Sequence, residues 1–107
     1  MTTLARIQHL IAQRQYFITR HAFDEAEDDA ISIPDLLAAM PFAVVVEDYP
    51  DATRGPSVLC RVEPSSNIFI HAVWGIAKAE TSRTGLVTTY RPDPKLWSFD
   101  FLIRSAK

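Results

Sequence analysis

The chain of 107 residues is 48% hydrophobic and 22% charged, the balance of a globular protein, and no linker or charge block divides it, so residues 1–107 read as a single domain. A net charge of −2 and a pI of about 5.8 exclude the broadly basic surface of a general nucleic-acid binder, leaving at most a local patch of Arg54, Arg61, Arg83 and Arg91. The single cysteine, Cys60, excludes an internal disulfide and a cysteine-based zinc site, and no run of ~20 apolar residues is present to span a membrane; a reducing cytoplasm is the expected compartment.

Leu4, Ile7, Leu10 and Ile11 recur at helical spacing between polar residues, which predicts an amphipathic helix over residues 3–14, with His9 off the apolar stripe. Tyr16, Phe17 and Ile18 form a short connector or strand. Thr19 then caps a second helix, in which Ala22, Ala26 and Ala30 beside Phe23 make a small-residue face. His21 and Glu25 lie four apart on a different stripe. Ser32 and Asp35 form a capping box with Pro34 in the first turn, and Ile31 is placed to staple onto Leu36. Leu36, Leu37 and Met40 supply the apolar face of this third helix, which Pro41 ends.

From Phe42 the period changes. Residues 43–47 are β-branched and read as a buried strand closed by Tyr49, Pro50 and Asp51. Residues 57–62 alternate Val58, Cys60 and Val62 against Leu59 and Arg61, and residues 64–67 make a turn. Residues 68–77 form the longest strand, with Ile68, Ile70, Ala72, Trp74 and Ile76 on one face and Phe69, His71 and Val73 on the other. Residues 86–91 make a fourth strand, ended by Pro92 and Pro94. Short turns require antiparallel pairing. The expected architecture is α+β: amino-terminal helices covering one face of a four-stranded antiparallel meander, the opposite face open. Ala22, Phe23, Ala26, Leu36, Leu37, Val45 and Trp74 are expected to share one core. The apolar segment 96–102 is expected to dock back on the domain or to pair with another copy.

Among residues able to do chemistry, His71 lies mid-strand on the face opposite Trp74, either as a catalytic group or as a packed, hydrogen-bonded histidine. His21 sits near a helix amino terminus, where the macrodipole disfavours imidazolium and Glu25 favours it. Arg61, Arg83, Arg91 and Tyr90 complete the set; an arginine beside a histidine on a sheet face can bind phosphate and steady developing charge. The only three glycines, Gly55, Gly75 and Gly85, make no phosphate loop, and no ligand spacing for a metal occurs. No cofactor and no metal are expected. Cys60 alternates with Val58 and Val62 and reads as core.

The ordered blocks His21-Ala22, Ile31-Ser32, Val46-Glu47-Asp48-Tyr49-Pro50, Ser57-Val58-Leu59, His71 and Thr89-Tyr90-Arg91-Pro92-Asp93-Pro94, followed by Trp97, resemble a family of small bacterial proteins, the domain-of-unknown-function family 4258. The resemblance runs over residues 16–97. It implies a compact α+β fold akin to the RelE and BrnT ribonuclease toxins, with the family's helix-start histidine at His21, its strand histidine at His71 and its closing tyrosine at Tyr90. Members often carry arginines where this chain has Glu25 and Asp29, and two carboxylates there would repel a phosphodiester backbone.

Two readings follow, with a small-ligand binder as a third. The first is a non-catalytic protein-binding module that uses the sheet face or an edge strand. The alternative is a metal-independent ribonuclease, the toxin of a toxin–antitoxin pair, with His71 or His21 as general acid or base and Arg61 or Arg91 stabilising the transition state. The partner expected is an antitoxin-like protein or a second copy of the chain; RNA is disfavoured by the acidic pI, and no membrane partner is expected.

Overall fold

The computed structural model describes residues 1–105. Three helices lie before residue 40: α1 (Thr3–Ala12), α2 (Arg20–Asp28) and α3 (Ile33–Ala39), the last followed by a 3-10 turn, Met40–Phe42. Each begins at a hydroxyl cap, Thr19 and Ser32 as expected from local sequence and Thr2 in addition. Thr2, Thr19 and Ser32 accept hydrogen bonds from the backbone N–H of Ala5, Ala22 and Asp35. Helix α1 stops two residues short of the expected end, because Arg14 turns the chain with φ of 61°. Ala30 likewise leaves α2 rather than extending its small-residue face: its φ is 54° and it is exposed.

The strands are β1 (Tyr16–Ile18), β2 (Val44–Tyr49), β3 (Ser57–Ser65), β4 (Ile68–Ala77) and β5 (Glu80–Tyr90). They form one five-stranded sheet in the order β1-β5-β4-β3-β2. Strands β2 to β5 are the expected antiparallel meander, but the sheet as a whole is mixed. The correction comes from β1, whose three residues pair parallel with Thr84, Gly85 and Leu86 at the edge of β5. Strand β5 also starts at Glu80, six residues before the expected start, because a tight hairpin pairs Ala77 with Glu80 and carries pairing through a polar stretch.

Alternation along the central strands sets the two faces. Val58, Cys60, Val62, Ile70, Ala72, Trp74, Ile76 and Leu86 point into the layer of helices and pack with Leu4, Ile7, Ala22, Ala26, Leu36 and Met40. Two residues of the expected core are not in it. Val45 is 43% exposed and Phe23 48%. Val45 lies on the outermost strand, β2, which is bulged between Val45 and Glu47, so the helices leave it uncovered. Phe23 falls on the outer side of α2, whose buried positions are Ala22 and Ala26. The face opposite the helices, expected to be open, carries the segment after β5, which folds back across it.

Candidate functional site

Three of the five candidate residues stand in one row. The register sets Arg61 of β3 opposite His71 of β4, and His71 opposite Tyr90 of β5, so all three side chains leave the face away from the helices. His71 has no exposed surface. Its Nε2 lies 2.8 Å from the carbonyl oxygen of Phe101. A carbonyl only accepts, so Nε2 carries the proton and Nδ1 accepts from the Tyr90 hydroxyl at 3.2 Å. The Trp97 ring stands edge-on to the imidazole at 4.5 Å between centroids. Burial pushes the pKa of His71 down, outweighing the hydrogen bond to Phe101, which raises it; Arg104 and Arg61 lower it further and Glu47 raises it. Burial raises the Tyr90 phenol.

What buries His71 is the carboxy-terminal strap, residues 94–105. It is a hairpin: Ser98 N–H donates to Ile103 at 2.7 Å, Ser105 N–H donates to Leu96 at 2.8 Å, and Trp97 bridges Arg104. Asp100 holds the turn, accepting from Ser98 Oγ at 2.5 Å and from Leu102 N–H at 3.2 Å, which keeps its carboxyl below the usual range. Three anchors fix the strap to the sheet. Arg61 Nη1 donates to the Asp100 carbonyl at 2.8 Å, His71 donates to Phe101, and Arg104 pairs with Glu47 at 2.9 Å. The Arg104 guanidinium also lies 4.7 Å from the Trp97 centroid, and that of Arg61 lies 4.6 Å from Phe69. Arg104, then Tyr49, hold the Glu47 carboxyl below its ordinary value by hydrogen bonding. The strap's other side is apolar and open, with Leu96 60%, Phe99 95% and Ile103 67% exposed.

The remaining candidates, His21 and Arg91, do different work. His21 is exposed in the first turn of α2, with Nε2 3.1 Å from a Glu25 oxygen. Glu25 also accepts from the Thr88 hydroxyl and, at 3.3 Å, from Thr89 N–H. Asp29, one turn on, accepts from Arg91 N–H at 2.9 Å. Beyond the three residues paired with β1, the edge of β5 would otherwise leave these donors unpaired. The carboxylates at positions 25 and 29 therefore finish the edge of the sheet. Arg91 turns the other way and donates to the carbonyls of Asp29 at 2.7 Å and Ala30 at 3.0 Å, capping the end of α2.

The expected arginine patch is divided in the same manner. Arg61 lies under the strap, Arg91 caps α2, Arg83 covers the Phe17 ring at 4.5 Å, and Arg54 lines a cavity near Gly75. The residues the sequence did not single out as site residues are Trp97, Phe101, Arg104 and Glu47. The apolar run 96–102 was the one signal for the strap. Glu47 lies in one of the blocks that carry the family resemblance, but nothing local pairs it with Arg104, 57 residues away in sequence.

Among the described residues no helix is long and apolar enough to cross a membrane. No curated protein and no solved structure matches the chain, so the likeness to RelE and BrnT toxins that the resemblance implies has no counterpart there. The family described as Domain of unknown function (DUF4258) matches over residues 18–91, from the end of β1 through β5, which takes in His21, Arg61, His71, Tyr90 and Arg91 and stops before the strap. With well over half its length matched, the chain belongs to DUF4258.

Proposed function

We propose that the chain is a non-catalytic protein-binding module and that the outer side of the strap is the surface it binds with. One observation carries this reading. The histidine on the sheet face is sealed, with both ring nitrogens engaged, while the hairpin that seals it turns Leu96, Phe99 and Ile103 to solvent. A general acid or base must reach the proton it moves, and His71 has no exposed surface. A cluster of large apolar side chains on a hydrogen-bonded hairpin is, by contrast, what a partner protein covers, and aromatic anchors dominate such contacts.

The test places a photo-crosslinking amino acid at Ile103 and, as a control, at Phe23 on the opposite layer. The reading expects one protein, the same in repeat captures, at Ile103 and not at Phe23. Phe99→Glu should reduce its capture at least ~10-fold while leaving the melting temperature unchanged. Capture that ignores Phe99→Glu, or equal capture from both positions, contradicts the reading.

A second reading, the metal-independent ribonuclease, is favoured by the row of Arg61, His71 and Tyr90, a cation, an imidazole and a phenol on neighbouring strands. It requires the strap to lift before RNA can reach His71, and it must do without Arg91, which is committed to α2.

A further inference from the structure

Away from the strap, the same face of the sheet holds a cavity of about 410 Å³ lined by Phe17, Arg54, Gly75 and Val87 among others. Gly75 of β4 and Gly85 of β5 are cross-strand partners, and Ser57 of β3 continues the row. Phe17 and Val87 form walls, and the loop before β3 closes the remaining side with Arg54. The lining is predominantly apolar, with Arg54 its one charged side chain.

The two glycines have different reasons to be there. At Gly85 a Cβ would fall 2.4 Å from the Phe17 ring, so packing of Phe17 excludes any side chain. At Gly75 a Cβ would meet nothing closer than Val87 at 3.7 Å, ordinary contact, and its φ is not in the left-handed region. The fold therefore has room for alanine at 75. Glycine inside a strand weakens it and occurs at bulges or where something approaches closely; the β4–β5 register shifts on both sides of Gly75, and the residue lines the cavity.

The loop wall is held in place. Gly55 has φ of 128° and a Cβ there would lie 2.0 Å from the Ile76 carbonyl oxygen, so only glycine lets the loop come this close to β4. Lys78 N–H donates to the Arg54 carbonyl at 3.0 Å and Ile76 N–H to that of Pro56 at 2.9 Å. The Arg54 side chain is thus carried on backbone pinned at both sides, and it forms no ion pair among the described residues.

We propose that this cavity binds a small planar aromatic carboxylic acid, its ring on Gly75 beside the Phe17 ring that covers Gly85, and its carboxylate at Arg54. The open surface of Gly75 accepts a flat ring, the Phe17 wall adds edge or stacking contact, and an arginine among the lining residues selects an anion. The inference is independent of the strap and of what the strap binds.

The probe is 2-naphthoate, followed by calorimetry and by amide shifts in nitrogen-15 spectra of the full chain, with the uncharged 2-naphthamide as its isostere. Saturable binding of naphthoate is expected, with shifts at Gly75, Gly85 and Val87 and roughly tenfold weaker binding of the amide. Gly75→Leu should abolish binding by filling the cavity. Gly75→Ala, which the fold accommodates, should keep the melting temperature and weaken binding, and Arg54→Gln should remove the preference for the acid. No saturable binding, binding untouched by both Gly75 variants, equal affinity for acid and amide, or shifts gathered at Leu96, Phe99 and Ile103 would each overturn the proposal.

Discussion

At the scale of the residue, His71 shows how far alternation along a strand carries and where it stops. Its face was legible, since period two puts it opposite Trp74. Its burial was not, because the groups that enclose it, Trp97 and Phe101, lie 26 and 30 residues on in a segment with no strand pattern of its own. Substitution at His71 thus acts on stability as well as on any chemistry. His71→Ala removes a buried ring and strands the Tyr90 hydroxyl and the Phe101 carbonyl, and is expected to cost about 2–4 kcal/mol in urea unfolding. His71→Gln, which keeps a donor for Phe101, should cost less than half as much. Burial also fixes the sign of the pH dependence. The folded state holds the imidazole below its ordinary value of 6.5, so it disfavours protonation relative to the unfolded chain. The contribution of His71 is complete above about pH 6.5 and is lost as pH falls through its folded value. Melting temperature should decline on acidification below that point, and His71→Gln should flatten the decline below pH 6.5. An identical decline in the variant would assign it to other groups.

At the scale of the element, the starts of α2 and α3 were legible from their caps, because capping is local chemistry between residues three apart; the start of α1 was read from apolar spacing alone. Strand β1 was legible only as a connector or strand and the first half of β5 not at all, because what makes them strands is their partner. Glu80-Thr81-Ser82-Arg83 has no apolar alternation, and Tyr16-Phe17-Ile18 is too short to show one. The same lack of long-range information made Glu25 and Asp29 look like losses from a phosphate site, whereas their partners are backbone N–H groups of β5. Two substitutions check this level. Ala30 closes α2 in a left-handed conformation that costs a non-glycine residue ~1 kcal/mol, so Ala30→Gly should raise stability by about 0.5–1 kcal/mol. Val45 is on the uncovered edge strand, so Val45→Asp should change stability by less than about 1 kcal/mol, against about 3–5 kcal/mol for Trp74→Ala in the core. A severe loss in Val45→Asp would mean that β2 is covered in solution.

At the scale of the whole molecule, the sheet is covered on one face by helices and on part of the other by its own carboxy-terminal strap. That second covering separates the two functional readings. Deleting residues after Pro94 should uncover Phe69, His71 and Tyr90, lower stability by about 3 kcal/mol and produce binding of an apolar dye. An unchanged melting curve would show the strap to be undocked. The family match ends at residue 91, before the strap. The most direct measurement is incubation of the purified intact chain with RNA in the presence of a chelator, beside His71→Gln. A sealed His71 predicts no cleavage above buffer by either protein. Cleavage by the intact chain that disappears in His71→Gln, with the variant still folded, would contradict the binding-module account.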